Sequence, residues 1–315
     1  MKALQEYIVT EKTAKSSRIF GDLMIMMIAP LVIAVCFYGL NAVYVTAVSV
    51  LSAVICDAAA SAAVHKRFRM KDMSALFTGA AIAMMMPANI PLYVPAIASA
   101  FAVLAVKIPL GGGLRAPFVP AAAGFAFVCV CFKDLVFTYS ADATEKFLGS
   151  ASVGSFLAKG SSVHLTAVNL FDIICGNAAG PMGTGCILVM LGCAVFLFFR
   201  RRNALWATLG FIGVCAIFAF LFPRVNASGL TSLVLELSSG SLMFAAVFLV
   251  TDYATLPEYD LFKLIYGAVC GLICMFMRRL GAYEEPVCFA VLLANGAGQL
   301  FGYITNKKGK GAAEK

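Results

Sequence analysis

Charge is what this sequence lacks most. Only 13% of its 315 residues are Asp, Glu, Lys or Arg, against roughly 25% in an ordinary soluble domain. With 62% hydrophobic residues and a mean hydropathy of +0.92, the chain cannot cover a core with a polar surface, which excludes a soluble globular enzyme. The same shortage excludes disorder and a long exposed coiled coil, since both need charge to stay solvated. Histidine is nearly absent: His65 sits beside a basic stretch and His164 in a polar one, so imidazole chemistry is not expected. The eleven cysteines contain no CxxC pair and no Cys/His cluster. No zinc or iron–sulfur ligand set is legible, and they read as small apolar packing residues. Gly111-Gly112-Gly113 is not a nucleotide loop, because no Lys-Ser/Thr follows it and no strand precedes it.

What is present in abundance is long apolar sequence. Runs occur at 23–40, 43–65, 73–90, 91–110, 118–138, 185–199, 204–222, 233–250, 261–277 and 285–304. A membrane-crossing helix needs about 20 such residues. The expected fold is therefore an all-α polytopic membrane protein with about ten transmembrane helices. Its parts are a polar segment 1–22, a first five-helix unit 23–138, a long loop 139–184, a second five-helix unit 185–304 and a basic tail 305–315. No short apolar core with a small-residue cleavage site precedes the first run, so no cleaved signal peptide is expected. Loops as long as 139–184 are usually functional or disordered.

The net charge of +8 suggests nucleic acid only until the cations are placed. They lie between the apolar runs, where they set topology instead of gripping phosphate. With the N-terminus inside, 18 Lys and Arg fall on the cytoplasmic side and 6 outside. Both termini are thus expected in the cytoplasm and 139–184 outside. Arg278-Arg279 is the one pair that runs against this bias.

The two halves show weak similarity. Ser74–Ala83 resembles Ser241–Val250, and each stretch ends in a break, Met86-Pro87-Ala88-Asn89-Ile90-Pro91 in one and Thr251–Pro257 in the other. Pro117-Phe118-Val119-Pro120 opens the fifth run, as Glu285-Pro286-Val287 opens the tenth. Five spans per half require the halves to be inverted, and matched breaks point to a site at the repeat interface. Acids in apolar runs are functional candidates by default. Asp57, two turns from Lys66, and Asp252, beside Thr251 at the break, are those candidates for an ion pathway. The bland readings are a locally bonded Asp57 and an Asp252 that merely caps a helix. At this level a secondary transporter and an electron-transfer subunit fit equally well.

Longer stretches carry a resemblance. Thr251–Pro257 resembles the TDxxxxP-type break of the RnfD/NqrB family. Gly281–Asn295 resembles the family's GGYPxGVAFAVLLxN segment. Asp172–Thr184 is similar to its LFxGNxGGxxGET run, and Lys71–Gly79 to its polar approach to the third span. The resemblance follows the same ten-span order over nearly the whole chain. It implies a membrane subunit of an Rnf-type complex that passes electrons between ferredoxin and NAD and couples them to Na+ or H+ movement. Partner subunits would carry iron–sulfur clusters and flavins, with the bilayer as surroundings, a bacterial or archaeal plasma membrane as location and no role for nucleic acid. The resemblance further implies FMN held covalently through a phosphoester to a threonine in an S-G-A-T-like motif. Thr144, in Ala141-Asp142-Ala143-Thr144, is the best match, with Thr166 as the fallback. Gly112–Ala121 lacks both asparagines of the family's GGxGxNxFNPA, which weakens the case for a second, non-covalent flavin. The alternatives are a flavin-free transporter or channel with the same repeat, and a membrane scaffold that has lost its cofactor.

Overall fold

The computed structural model describes residues 2–65, 73–111, 116–139, 152–158, 171, 173–176, 178–224, 229–257, 259–281 and 284–299, with side chains in the first helix from Arg18 onward. The described residues form helices and turns, with no strand among them. The protein is an all-α membrane protein, and four of its helices are long and apolar enough to cross a bilayer.

Helix α1 (Lys2–Tyr38) is continuous through the polar N-terminal segment, and its membrane-length part is Arg18–Tyr38, 21 residues. Gly39 ends it in the left-handed region at φ 62°, where a Cβ would be strained, and its N–H closes on Val35 O at 2.9 Å. That turn sends the chain straight into α2 (Leu40–His65). The other two membrane-length helices are α9 (Arg202–Leu221) and α12 (Asp260–Leu280). At 1.5 Å per residue each spans about 30 Å. Their outer faces carry exposed apolar side chains, such as Ile55 on α2, Ile217 on α9 and Phe276 on α12, as lipid contact demands.

Between them lie shorter apolar helices of 10–17 residues. These are α3 (Ser74–Met84), α4 (Tyr93–Lys107), α5 (Pro120–Cys131), α8 (Ile187–Arg200) and α13 (Val287–Gln299). Two small helices, α6 (Lys133–Val136) and α7 (Val153–Ala158), lead into and lie within the long connection. Finally α10 (Gly229–Ser238) and α11 (Leu242–Leu249) are one apolar run bent by 70°, which gives up to five spans if the pair counts as one. The expected runs all appear as helices, in order. Pro87, Pro91, Pro117 and Pro120 cut several of them below full bilayer length.

The two broken elements, α3 and α11, occupy the centre. Ten of the eleven α3 residues and every α11 residue are buried. Close backbone approach seats the surrounding helices. A Cβ on Gly79 of α3 would lie 2.7 Å from Val50 Cα of α2, and one on Gly271 of α12 would lie 2.8 Å from Phe211 O of α9. Small residues at such crossings let helices touch where no hydrophobic force drives them together in lipid. The end of the long connection is tucked in as well. Met182 N–H and Gly183 N–H donate to Met86 O and Met84 O, both at 3.0 Å, satisfying carbonyls that the α3 break orphans.

Candidate functional site

The chemistry concentrates at the breaks. The last six residues of α4, Ala102–Lys107, wind as a π-helix, with Ile108 N–H reaching back five residues to Val103 O at 3.0 Å. Such widening is frequent at functional positions. Here it leads to Lys107, whose ammonium lies 2.9 Å from the Asp57 carboxylate of α2. The lysine side chain is 3% exposed and the aspartate 15%. Lys107 therefore answers Asp57, and Lys66 lies outside the described residues. In sequence Lys107 counts among the loop cations; in the fold it is an interior group.

Helix α11 has the second π-helical turn, Ala245–Leu249, closed by Val250 N–H to Ala245 O at 2.8 Å. It ends in Thr251 and Asp252, both buried. The Thr251 hydroxyl donates to Val247 O. The Asp252 carboxylate accepts the backbone N–H groups of Tyr253 and Ala254, and the nearest cation acting on it is Arg201. Arg201 Nη2 in turn donates to Thr251 O at 3.3 Å, covering a carbonyl left open by the break. A small cavity of ≈ 10 Å³, at the limit for one water, is lined by Ser74, Thr78, Lys107, Pro120 and Asp252 among others. The start of α3, the end of α4, the start of α5 and the α11 break thus meet at one point. Lys107, the partner of Asp57, lines the same cavity as Asp252. On the far side of the break, Tyr266 OH donates to Asn295 Oδ1 at 2.5 Å, while the buried Asn295 Nδ2 has no partner among the described residues.

The opposite end of α11 holds a buried charge cluster that sequence reading missed. Arg224 grips Glu236 with two bonds, Nε–Oε1 at 2.5 Å and Nη2–Oε2 at 2.8 Å. Arg278 adds Nη1 to Glu236 Oε2 at 3.0 Å and to Glu236 O at 2.9 Å, and Nη2 to Ser239 O at 2.8 Å. The C-terminal carbonyls of α10 are thereby capped by a guanidinium. The first N–H of the next segment, Ser241, is capped at 2.7 Å by Glu285, which also accepts the Ser241 hydroxyl. A carboxylate at the N-terminus of α11 and a guanidinium at its C-terminus both complement its dipole. The signal for this cluster was the Arg278-Arg279 exception to the charge bias. Arg278 is 2% exposed and is no topology charge, whereas Arg279 lies over the Phe222 ring at 5.6 Å.

Thr144 and Thr166 lie outside the described residues, as do Gly112–Arg115. Among the described residues nearest Thr144 in sequence, Tyr139 is buried and Ser152 donates to Glu284 Oε2 at 2.8 Å. Among the described residues no group of three or more His, Cys, Asp or Glu could hold a metal ion.

Fold and site together define a polytopic helical membrane protein in which interrupted helices bring buried charges to a shared interior point. The chain belongs to the NQR2, RnfD, RnfE family, whose model matches residues 6–311. It is 27% identical over 295 residues to the D subunit of the Na(+)-translocating ferredoxin:NAD(+) oxidoreductase complex of Acetobacterium woodii, covering 93% of this chain and 90% of that protein. It is 26% identical over 298 residues to the D subunit of the proton-translocating ferredoxin:NAD(+) oxidoreductase complex of Clostridium ljungdahlii, covering 92% and 90%. With the D subunit of the ion-translocating oxidoreductase complex of Pseudomonas paraeruginosa it shares 30% over 325 residues, covering 93% and 94%.

Proposed function

We propose that this chain is the RnfD component of an Rnf-type ion-translocating ferredoxin:NAD(+) oxidoreductase complex, relaying electrons and coupling them to Na+ or H+ movement. The observation that carries this reading is the near end-to-end similarity to relatives bearing that name, together with the family match over residues 6–311. Those relatives are named for different ions, so the reading leaves Na+ and H+ as equals. Its partners are the other subunits of the complex, iron–sulfur and flavin subunits included. Its setting is a bacterial or archaeal plasma membrane with both termini in the cytoplasm, and its plan is ten spans in two inverted repeats.

Thr144 is the residue we assign to covalent FMN, with Thr166 as fallback. When bound, FMN supplies the electron-carrying chemistry. The chain's own share is to present a hydroxyl on a tethered segment: Thr144 lies five residues from the buried Tyr139, a reach of at most about 17 Å. The ion pathway runs past the α11 break at Thr251 and Asp252, where Asp252 lines the same cavity as Lys107, the partner of Asp57. A buried acid near an interrupted helix is the usual mark of such a route.

A second reading, a flavin-free transporter, draws on Asp142 and Glu145, acids that flank Thr144 where an anionic phosphate would arrive. Visible absorbance and flavin fluorescence of the protein, purified from cells that also express its partner subunits and flavin transferase, separate the two. Bound flavin and co-purification with the partners support the RnfD reading; colourless protein that isolates alone overturns it.

A further inference from the structure

The link between α8 and α9 borders an open cavity of ≈ 670 Å³, lined by Ile19, Arg200, Arg201, Arg202, Tyr253 and Lys263 among others. Four cations facing one cavity need more than a topology rule to explain them. Two are neutralised: Arg200 Nη2 lies 2.8 Å from Asp22 Oδ1 and Lys263 Nζ 2.6 Å from Asp260 Oδ1. Arg201 spends one nitrogen on Thr251 O, and its Nη1 has no hydrogen-bond partner among the described residues. Arg202 is exposed, and none of the described acids forms an ion pair with it. With Asp252 acting on Arg201 as well, Arg202 is the one lining cation without a carboxylate among the described residues, and Arg201 keeps one unspent N–H donor group.

Its floor adds a helix N-terminus. Helix α9 begins at Arg202 with no side chain capping its N-terminus, and Asn203 and Ala204 line the cavity. Ala204 N–H is spent on Arg201 O at 2.8 Å, but the positive end of a 20-residue helix still favours an anion there. Ile19, Leu256 and Pro257 give the lining an apolar part, and the chain next to the lining residues carries exposed apolar side chains: Phe199 before the arginines, Trp206 one turn into α9, and Tyr259 and Phe262 near Lys263. Aromatic and apolar side chains at helix ends mark the level of lipid headgroups. Basic pockets between transmembrane helices hold anionic headgroups. A cationic hollow with apolar residues in and beside its lining fits a ligand that has a phosphate at one end and acyl chains at the other.

We propose that this cavity is a binding site for the phosphate headgroup of an anionic phospholipid, held by Arg201, Arg202 and the N-terminus of α9. A free inorganic phosphate offers the same anion without the tails, so the two sources must be told apart. The test is native mass spectrometry of the full-length chain in detergent micelles, titrated separately with phosphatidylglycerol, phosphatidylcholine and inorganic phosphate. Phosphatidylglycerol binds more tightly than phosphatidylcholine. Arg202→Gln weakens the phosphatidylglycerol complex about fivefold, in keeping with roughly 1 kcal/mol per basic residue near an anionic headgroup. Lys133→Gln, which removes a charge elsewhere, leaves it unchanged. Arg202 is exposed, so its substitution preserves the melting temperature and reports on binding alone. Equal affinity for the two lipids, an unaltered Arg202→Gln complex, or equal weakening by Lys133→Gln overturns the site. Retention of inorganic phosphate without phosphatidylglycerol overturns the lipid as its source.

Discussion

Lys107 Nζ of α4 lies 2.9 Å from Asp57 Oδ1 of α2, with the lysine side chain 3% exposed. Removing one partner of a buried ion pair leaves the other charge unanswered, a loss of about 3–5 kcal/mol, whereas replacing both by neutral groups is often mild. Lys107→Met and Asp57→Asn are each expected to lower the melting temperature of the purified protein sharply. The double variant is expected to recover most of the loss. Additive losses in the cycle would show that the two charges do not act as a pair.

The bend between α10 and α11 depends on Gly240, which adopts φ 57° with no room for a Cβ beside the Glu285 carboxylate. Gly240→Ala is expected to destabilise by about 1–3 kcal/mol from backbone strain alone, with the displaced Glu285 cap adding to it. Gly213 of α9 has nothing within 4 Å of an added Cβ. Gly213→Ala is therefore expected to be neutral or to stabilise by about 0.5–1 kcal/mol. Thermal unfolding of the two variants side by side checks both signs.

The repeat expected from the sequence has one counterpart in the side-chain bonds. Aligning Ser74 with Ser241 places Gly79 opposite Ala246. The Ser49 hydroxyl of α2 donates to Gly79 O at 2.7 Å, and the Thr208 hydroxyl of α9 donates to Ala246 O at 2.9 Å. Corresponding carbonyls in the two halves thus receive a hydroxyl from the preceding long helix, which supports the pairing of the halves. Proline positions and acids inside apolar runs also announced the breaks and Asp252. The buried cations did not announce themselves. Lys107 and Arg201 sit at the ends of apolar runs, where a cation ordinarily marks a loop, and their partners Asp57 and Thr251 are 50 residues away in each case. The Arg224–Glu236–Arg278 cluster is likewise assembled only when α12 returns against α9 and α10.

Asp252 has two readings that one substitution separates. Its backbone bonds suit a helix cap, while its place in the interior cavity that Lys107 also lines suits an ion route. Asp252→Asn keeps the cap geometry and removes the charge. In proteoliposomes holding the whole complex, the variant is expected to assemble normally and to lose electron-driven ion uptake. Full coupled turnover would leave Asp252 as a cap only.

Orientation follows from the 18-to-6 bias of Lys and Arg, which strengthens once Arg224 and Arg278 are counted as internal partners of Glu236 instead of loop charges. Phe171 of the long connection is 62% exposed. A cysteine at Phe171, in a background lacking the accessible native cysteines, is expected to react with an impermeant thiol reagent added to intact cells. Labelling only after the cells are broken open would place that connection in the cytoplasm.

The flavin assignment rests on a hydroxyl in the right connection. Only Ser, Thr or Tyr can carry the phosphoester, and Thr144 keeps the Ala-Thr core of the resembled motif where Thr166 keeps less. Asp142 and Glu145 oppose it. Like charges at that range in water cost about 1 kcal/mol, screened further by salt, which slows attachment without preventing it. Intact-mass spectrometry of the chain coexpressed with its flavin transferase is expected to show an FMN-sized increment. The increment should vanish in Thr144→Val and persist in Thr166→Val. An increment that survives Thr144→Val and disappears in Thr166→Val moves the attachment to the second threonine, and an unmodified wild-type chain returns the connection to a role without covalent flavin.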